Sequence, residues 1–203
     1  MNTARKLFYY NGGFLRQKRV RRILSMAGYE LTLGLPDRGD MVAVWGQSPN
    51  QYRGQWIAKK RKAGLLRVED AFLRSVQPGR AGDPPLGLIL DRSGCHFDAS
   101  YPCDLENILR HDPLKDTDLL CRAEQAIMRI RDNHISKYNA FETTQSPPAP
   151  GYVLVIDQTF GDAALRASGA GKAEFKAMLA AARREHPDAN IIIKSHAETI
   201  LGH

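Results

Sequence analysis

YVLVIDQTFGD, residues 152–162, is an apolar run that ends abruptly in a polar loop. A second apolar run, NIIIK at residues 190–194, ends in the same way at Ser195 and His196. Two short runs rich in β-branched residues, separated by a helical stretch, predict a β-loop-α-β unit with parallel strands. Ligands of open parallel sheets bind at the carboxyl ends of the strands, so we expect a site at that edge.

Four polar side chains are expected to share this edge, and they are Gln158, Asp162, Lys194 and His196. A carboxylate, a cation and an imidazole that meet at one edge suit an anionic substrate. Gly161 allows the backbone to turn sharply just before Asp162. Asp162 could attack an activated sugar carbon as a nucleophile. The alternative is that Asp162 only caps the following helix.

Residues 169–172 read GAGK and approach the pattern of a phosphate-binding loop. That motif requires glycine at residue 166 and Ser or Thr at residue 173, where this chain has Arg166 and Ala173. A dinucleotide-binding fingerprint fails as well, because Glu174 stands where its third glycine belongs. The sequence therefore predicts neither motif.

The composition of the chain is that of an ordinary globular protein, with 203 residues, 43% hydrophobic and 25% charged. Its three cysteines form no C-x-x-C pair, which favours a reducing, cytoplasmic environment. No apolar run approaches the ~20 residues that cross a bilayer, and no signal-peptide core is visible. The spacing of the cysteines and nearby histidines matches no recognised metal site: Cys95, His96, Cys103, His111.

The net charge of +7 is concentrated at the N-terminus, where seven cations precede the first acidic residue, Glu30. Apolar residues at helical spacing within residues 14–27 predict an amphipathic helix with a cationic outer face. Such a face is typical of a solvated surface helix or of a helix that binds a membrane surface. Nucleic-acid binding is the third alternative, but aromatic residues do not interleave with the cations and no zinc-finger or RNP pattern is present.

Alternating short strands and helices predict an α/β domain over residues 1–142. Residues 91–94, DRSG, predict a tight turn that leads into a β-hairpin with residues 95–97. Residues 143–150, TTQSPPAP, are polar and rich in proline, and we interpret them as a linker. Residues 151–203 then form the start of a second domain.

Glu69 and Asp70 follow directly after the predicted strand at residues 65–68, and Arg74 comes shortly afterwards. Neighbouring side chains point in different directions in a strand or a helix, so at most one of the two carboxylates is expected to face a ligand. The alternative is that Asp70 caps a following helix while Glu69 pairs with a surface cation.

Six short sequence segments, taken together, indicate a protein family more specifically than any single motif does. In order they are VWG with SP at residues 44–49, RVEDAFLRS at 67–75, PPL at 84–86, FDAS at 97–100, SKYN at 136–139 and DQTFGD at 157–162. In this order they resemble the capsular polysaccharide Kdo transferases of the KpsC/LipA family, and most closely the first of the two transferase modules of that family. The resemblance covers nearly the whole chain.

This resemblance implies a GT-B-like module of two Rossmann-like domains with the active site between them. Here it implies one Rossmann-like domain followed by the opening βαβ unit of a second one, which is C-terminally truncated. It implies a retaining β-Kdo transferase that uses CMP-Kdo to extend a Kdo linker on a phosphatidylglycerol-type lipid. Such an enzyme works at the cytoplasmic face of the inner membrane and requires no cofactor beyond its donor substrate.

The resemblance also implies roles for individual residues. Asp162 becomes the nucleophile, and Glu69 the acid/base that acts on the acceptor hydroxyl. Four further residues become substrate contacts, with Lys194 and His196 against the CMP phosphate and Gln158 and Arg74 against the donor and its carboxylate. The alternative to an active module is a non-catalytic remnant that binds a membrane or a protein partner.

Overall fold

The computed structural model describes residues 4–142 and 144–200. They fall into two compact units. Unit 1 comprises Met1–His96 and Tyr101–Asn139, and unit 2 comprises Phe97–Ser100 and Ala140–His203. The predicted linker contains no helix or strand over its described residues 144–150.

Unit 1 is a five-stranded sheet with helices. Its elements are β1 Arg5–Tyr9, α1 Gly13–Arg16, α2 Lys18–Met26, β2 Tyr29–Thr32, β3 Met41–Trp45, α3 Gln51–Arg61, β4 Gly64–Asp70, β5 Leu88–Asp91, α4 Asp104–His111 and α5 Thr117–Asp132. The strand order is β2-β1-β3-β4-β5. The first four strands are parallel, and β5 pairs antiparallel with β4.

The core of unit 1 lies on both faces of β1. Leu7 packs in one buried cluster with Phe14 and Leu24, while Phe8 packs in another with Val42. Burial on both faces is typical of a parallel sheet between helices. Strand β1 was not predicted from the sequence, because its first two residues are cations. The single helix predicted over residues 14–27 is instead two helices separated by the extended residue Gln17.

The hairpin predicted from residues 86–90 and 95–97 is wrong, because residues 95–97 form no strand and β5 pairs with β4 instead. The DRSG turn instead anchors α4. The buried Asp91 carboxylate accepts hydrogen bonds from the backbone N–H groups of Ser93, Gly94 and Asp104, at 2.8, 2.7 and 2.8 Å. The Ser93 hydroxyl and the Arg92 backbone N–H hold the pKa of Asp104 below its usual range.

Unit 2 contains β6 Tyr152–Ile156, α6 Ala163–Ser168, α7 Lys172–Glu185, β7 Asn190–Lys194 and α8 Ala197–Ile200. Strands β6 and β7 are parallel, and Ile156 lies opposite Lys194 at their carboxyl ends. The predicted β-loop-α-β unit and the α/β fold class are therefore confirmed. Among the helices of the described residues, none combines the length and apolar character needed to cross a bilayer.

Candidate active-site residues

The loop after β6 is held against the end of β7 within unit 2. The backbone N–H of Asp157 donates to the carbonyl of Lys194 at 2.9 Å, which extends the strand pairing by one bond. Thr159 is 2% exposed, and its hydroxyl lies 2.8 Å from Nδ1 of His196. The two polar loops that the sequence placed at one edge are therefore joined through a buried side chain.

The surroundings of His196 define which ring nitrogen carries its proton in the neutral form. The backbone N–H of Glu198 donates to Nδ1 at 3.2 Å, so this nitrogen is an acceptor. The hydroxyl of Thr159 then donates to the same nitrogen, and the proton of the neutral ring is on Nε2. His196 is thus oriented as an Nε2–H donor.

Asp162 is the N-cap of α6. Its Oδ1 accepts a hydrogen bond from the backbone N–H of Ala164 at 2.7 Å, as the alternative interpretation of the sequence expected. Within residues 4–142 and 144–200, no partner of its Oδ2 is found. The cap fixes the orientation of the carboxylate through one oxygen and leaves the other for chemistry, so the two interpretations of Asp162 are compatible.

A cavity of about 640 Å³ opens beside this loop, and its lining residues within the described part of the chain belong to unit 2. Gln158 and Asp162 line it, as the sequence predicted for one common site. Its cationic lining residues are Arg166 of α6 and Lys172, the first residue of α7. Sequence reasoning considered both positions only when it rejected the phosphate-binding loop. Their positions in the sequence could have indicated this role. Arg166 lies in the last turn of the short helix that follows the β6 loop, and Lys172 is the first residue of the next helix.

Lys194 and His196 do not belong to the lining of that cavity. Lys194 is exposed at the end of β7, and the described part of the chain provides no acidic partner for its ammonium group. The structure therefore places Gln158 and Asp162 in the lining of one cavity. His196 instead contacts Thr159 of the loop after β6, and Lys194 is exposed at the surface.

In unit 1, Glu69 lies at the carboxyl end of β4, beside the end of β3. A Cβ atom built on Gly46 would fall 1.3 Å from Oε1 of Glu69. Gly46 also has a φ of +35°, and its N–H donates to the carbonyl of Val68 at 3.0 Å. A side chain at residue 46 would therefore displace the carboxylate of Glu69, and the positive φ separately favours glycine there. Sequence reasoning did not foresee this contact.

Asp70 and Arg74 form an ion pair at the start of the loop between β4 and β5. Nε of Arg74 lies 2.8 Å from Oδ2 of Asp70, and the two side chains are 8% and 26% exposed. Nη1 of Arg74 donates to the hydroxyl of Ser75 and to the carbonyl of Asp83, both at 2.7 Å. Three of its five N–H groups are thus used by protein acceptors, and Arg74 supports the loop.

The helix that Asp70 was expected to cap does not form, because Asp70 is the last residue of β4 and an irregular loop follows. Oδ1 of Asp70 and Oγ of Ser48 are buried and lack a hydrogen-bond partner among the described residues. Buried polar atoms are normally paired, so these two atoms mark a buried polar place near the carboxyl ends of β3 and β4.

No group of three or more His, Cys, Asp or Glu side chains within the described parts of the chain is arranged to hold a metal ion. The candidate site residues described above are carboxylates, cations and an imidazole: Glu69 and Asp70 in unit 1, and Asp162, Arg166, Lys172 and His196 in unit 2.

Comparison with known proteins identifies relatives along most of the chain. LipA of Neisseria meningitidis serogroup B, a capsule polysaccharide modification protein, is 35% identical over 169 residues, or 80% of this chain and 24% of LipA. LipA of serogroup A is 32% identical over 210 residues, or 99% of this chain and 30% of LipA. The chain thus spans less than a third of these curated relatives.

Two solved structures share the fold. KpsC of Thermosulfurimonas dismutans, a beta Kdo 2,4 transferase, matches with a TM-score of 0.84 and 32% identity, over 100% of this chain and 63% of that chain. A beta Kdo 2,7 transferase of the same organism matches with a TM-score of 0.65 and 21% identity, over 96% of this chain and 62% of that chain. The second likeness shows the fold alone.

The predicted resemblance to the N-terminal module of the KpsC/LipA proteins is confirmed by these matches. The family described as "Capsule polysaccharide biosynthesis protein" matches residues 40–200, which is most of the chain. The chain belongs to the capsule polysaccharide biosynthesis protein family.

Proposed function

We propose that this chain forms part of a retaining β-Kdo transferase module, which takes Kdo from CMP-Kdo and adds it to a lipid-linked Kdo acceptor of the phosphatidylglycerol type. Family membership and the 32% identity to a beta Kdo 2,4 transferase support the proposal. The observation that carries it is the position of Asp162, whose carboxylate lines the cavity while its cap holds only one oxygen.

In the first step, Oδ2 of Asp162 attacks the anomeric carbon of Kdo. The bond between that carbon and the phosphate oxygen of CMP breaks, CMP leaves as an anion, and an ester joins Kdo to Asp162. The bond to Ala164 keeps the carboxylate from rotating, so that Oδ2 is presented in one orientation. The leaving phosphate is stable as an anion, so this step needs no acid.

In the second step, Glu69 accepts the proton of the acceptor hydroxyl, and the hydroxyl oxygen attacks the same anomeric carbon. The ester to Asp162 breaks, and its carboxylate is restored. Two displacements at one carbon give net retention of configuration. Glu69 moves the proton, because Arg74 already holds Asp70 through Oδ2.

The donor is anionic at its phosphate and at its sugar carboxylate, and cations neutralise it. We assign this role to Arg166 and Lys172, which line the cavity beside Asp162. Lys194 and His196 follow at the same edge of the sheet but lie outside the cavity lining, and we propose them as further contacts of the CMP phosphate at the margin of the site. A basic chain with net charge +7 suits substrates that are all anionic. We place the module at the cytoplasmic face of the inner membrane, as a peripheral protein.

The test is to trap the ester between Asp162 and Kdo. The chain and its Glu69→Gln variant are incubated with CMP-Kdo without acceptor and analysed by mass spectrometry of the intact protein and of its peptides. We expect a mass gain of one Kdo residue on the peptide that contains Asp162. An added Kdo acceptor should remove it from the parent but not from Glu69→Gln. Turnover without a covalent adduct, or an adduct elsewhere, would overturn the mechanism.

A further inference from the structure

The outer face of α2 carries cations without acidic partners. Within residues 16–22 the exposed cations are Arg16, Lys18, Arg19, Arg21 and Arg22. Among the described residues, none of these five makes an ion pair. Like charges crowded on one short segment repel one another, and a bound anion would relieve that repulsion.

Three of these cations line a single cavity of about 820 Å³ in unit 1. Lys18, Arg21 and Arg22 are spaced at i, i+3 and i+4, so they lie on one side of α2 and converge on the same space. Glu30 is an acidic residue in the lining, and Leu15, which is 48% exposed, adds an apolar portion. The cavity combines a cationic wall with an apolar rim.

The apolar face of α2 is already used by the core of unit 1. Val20 is 1% exposed and Leu24 is fully buried. The helix therefore cannot insert an apolar face into a bilayer, as a free amphipathic helix does. Any membrane contact of this face depends on the cations and on the cavity between them.

The aromatic residues of the cavity argue against a single-stranded nucleic acid as its ligand. Tyr9 and Tyr29 are 5% and 4% exposed. The guanidinium of Arg5 covers the ring of Tyr29 at 4.4 Å, and Arg92 donates to its hydroxyl at 3.2 Å. Neither ring presents a free face on which a base could stack, whereas single-stranded nucleic acids require such faces.

We infer that Lys18, Arg21 and Arg22 form a binding site for the phosphate groups of anionic lipids at a membrane surface. The spread of the cations along the helix and the exposed Leu15 favour a surface with many headgroups over one small anion. The inference deepens the proposed membrane location, since it names the contact surface, and it does not depend on the transfer reaction.

The experiment measures sedimentation of the full chain with phosphatidylcholine vesicles that contain phosphatidylglycerol, and with vesicles of phosphatidylcholine alone. We expect binding only to the anionic vesicles, and binding that weakens as salt is added. Substitution of Lys18, Arg21 and Arg22 by Gln should weaken binding about a hundredfold, since each cation contributes about a factor of five. The matched control substitutes the exposed Lys59, Lys60 and Lys62 by Gln, which gives the same net charge. It should bind as the parent does.

Other outcomes are separable. Equal weakening in both variants would mean general charge attraction and would overturn the site, while leaving the membrane location intact. Failure of the parent to bind anionic vesicles would overturn both. Displacement from vesicles by inorganic phosphate, but not by chloride at equal ionic strength, would assign the site to a small anion. Tighter binding to an oligonucleotide, which anionic vesicles fail to displace, would make the partner a nucleic acid.

Discussion

Oε1 of Glu69 lies in the space that a side chain on residue 46 would fill, because a Cβ added to Gly46 would be 1.3 Å away. Gly46 directly follows β3, and Glu69 is the penultimate residue of β4, the parallel strand beside it. The position of the proposed acid/base is therefore determined partly by a missing side chain on the next strand. This relationship gives a direct test of Glu69.

Gly46→Ala should displace the carboxylate of Glu69 and lower the rate of transfer about as much as Glu69→Gln does. The positive φ of +35° adds strain of about 1 kcal/mol. Gly12→Ala is the matched control, because Gly12 has a φ of −62° and no atom within 4 Å of the added Cβ. Transfer rates and thermal unfolding are measured for all three variants. A folded Gly46→Ala variant with normal transfer would contradict the role of Glu69.

Asp162→Asn and Asp162→Ala separate capping from catalysis. Asn caps a helix about as well as Asp, so Asp162→Asn should preserve α6 and CMP binding while transfer is lost. Asp162→Ala should lose transfer as well, and it should be less stable by about 1 kcal/mol. Transfer assays, calorimetry with CMP and thermal unfolding distinguish the two effects. If Asp162→Asn turns over normally, Asp162 is a helix cap and nothing more.

Lys172→Gln should weaken CMP binding about tenfold, which is the loss expected for one charge-assisted hydrogen bond to a phosphate. Lys176→Gln is the control, because Lys176 lies one turn later on α7 and outside the lining of the cavity. Calorimetry with CMP measures both variants, together with Lys194→Gln. Equal affinities for the Lys172 variant and the parent would show that the phosphate binds elsewhere.

Thr159→Val should change the proton position on His196, because it removes the hydroxyl that donates to Nδ1. We expect ¹⁵N NMR of the imidazole to show a larger population with the proton on Nδ1, and CMP affinity to fall by up to about tenfold. Thr159→Ser keeps the hydroxyl and should behave as the parent. An unchanged tautomer in Thr159→Val would mean that the N–H of Glu198 alone orients the ring.

Arg74→Ala should destabilise unit 1 by about 3 kcal/mol, because it leaves the Asp70 carboxylate without its partner in a largely buried place. Urea unfolding followed by tryptophan fluorescence reports on this unit, since Trp45 and Trp56 both belong to it. Arg61→Ala is the control, and it should cost less than about 1 kcal/mol because its partner Asp37 is 87% exposed. A small loss of unfolding free energy in Arg74→Ala would contradict this structural role and favour the substrate contact that the family resemblance implies for Arg74.

The sequence predicted unit 2 well, because β6 and β7 are continuous apolar runs that end in polar loops, and strand pairing brings those ends together. It missed β1, since two cations open a strand whose burial depends on helices that pack on it. The contact between Gly46 and Glu69 depends on the register of β3 against β4, which no local pattern contains. Lys172 and Arg166 were not predicted as site residues, because their place in the cavity wall depends on how α6 and α7 pack beside the loop. That arrangement is also absent from any local sequence pattern.

The antiparallel direction of β5 means that the loop of residues 71–87 leaves and rejoins the sheet at the same edge. Its two ends are tied where the N–H of Leu86 donates to the carbonyl of Arg74 at 2.7 Å. The frame of the loop is thus set by backbone bonds and one arginine, while the side chains of Phe72, Val76 and Leu86 are exposed. Evolution can exchange such side chains at little cost to folding. The side chains of this rim can therefore diverge between relatives while the strands beneath it stay constant.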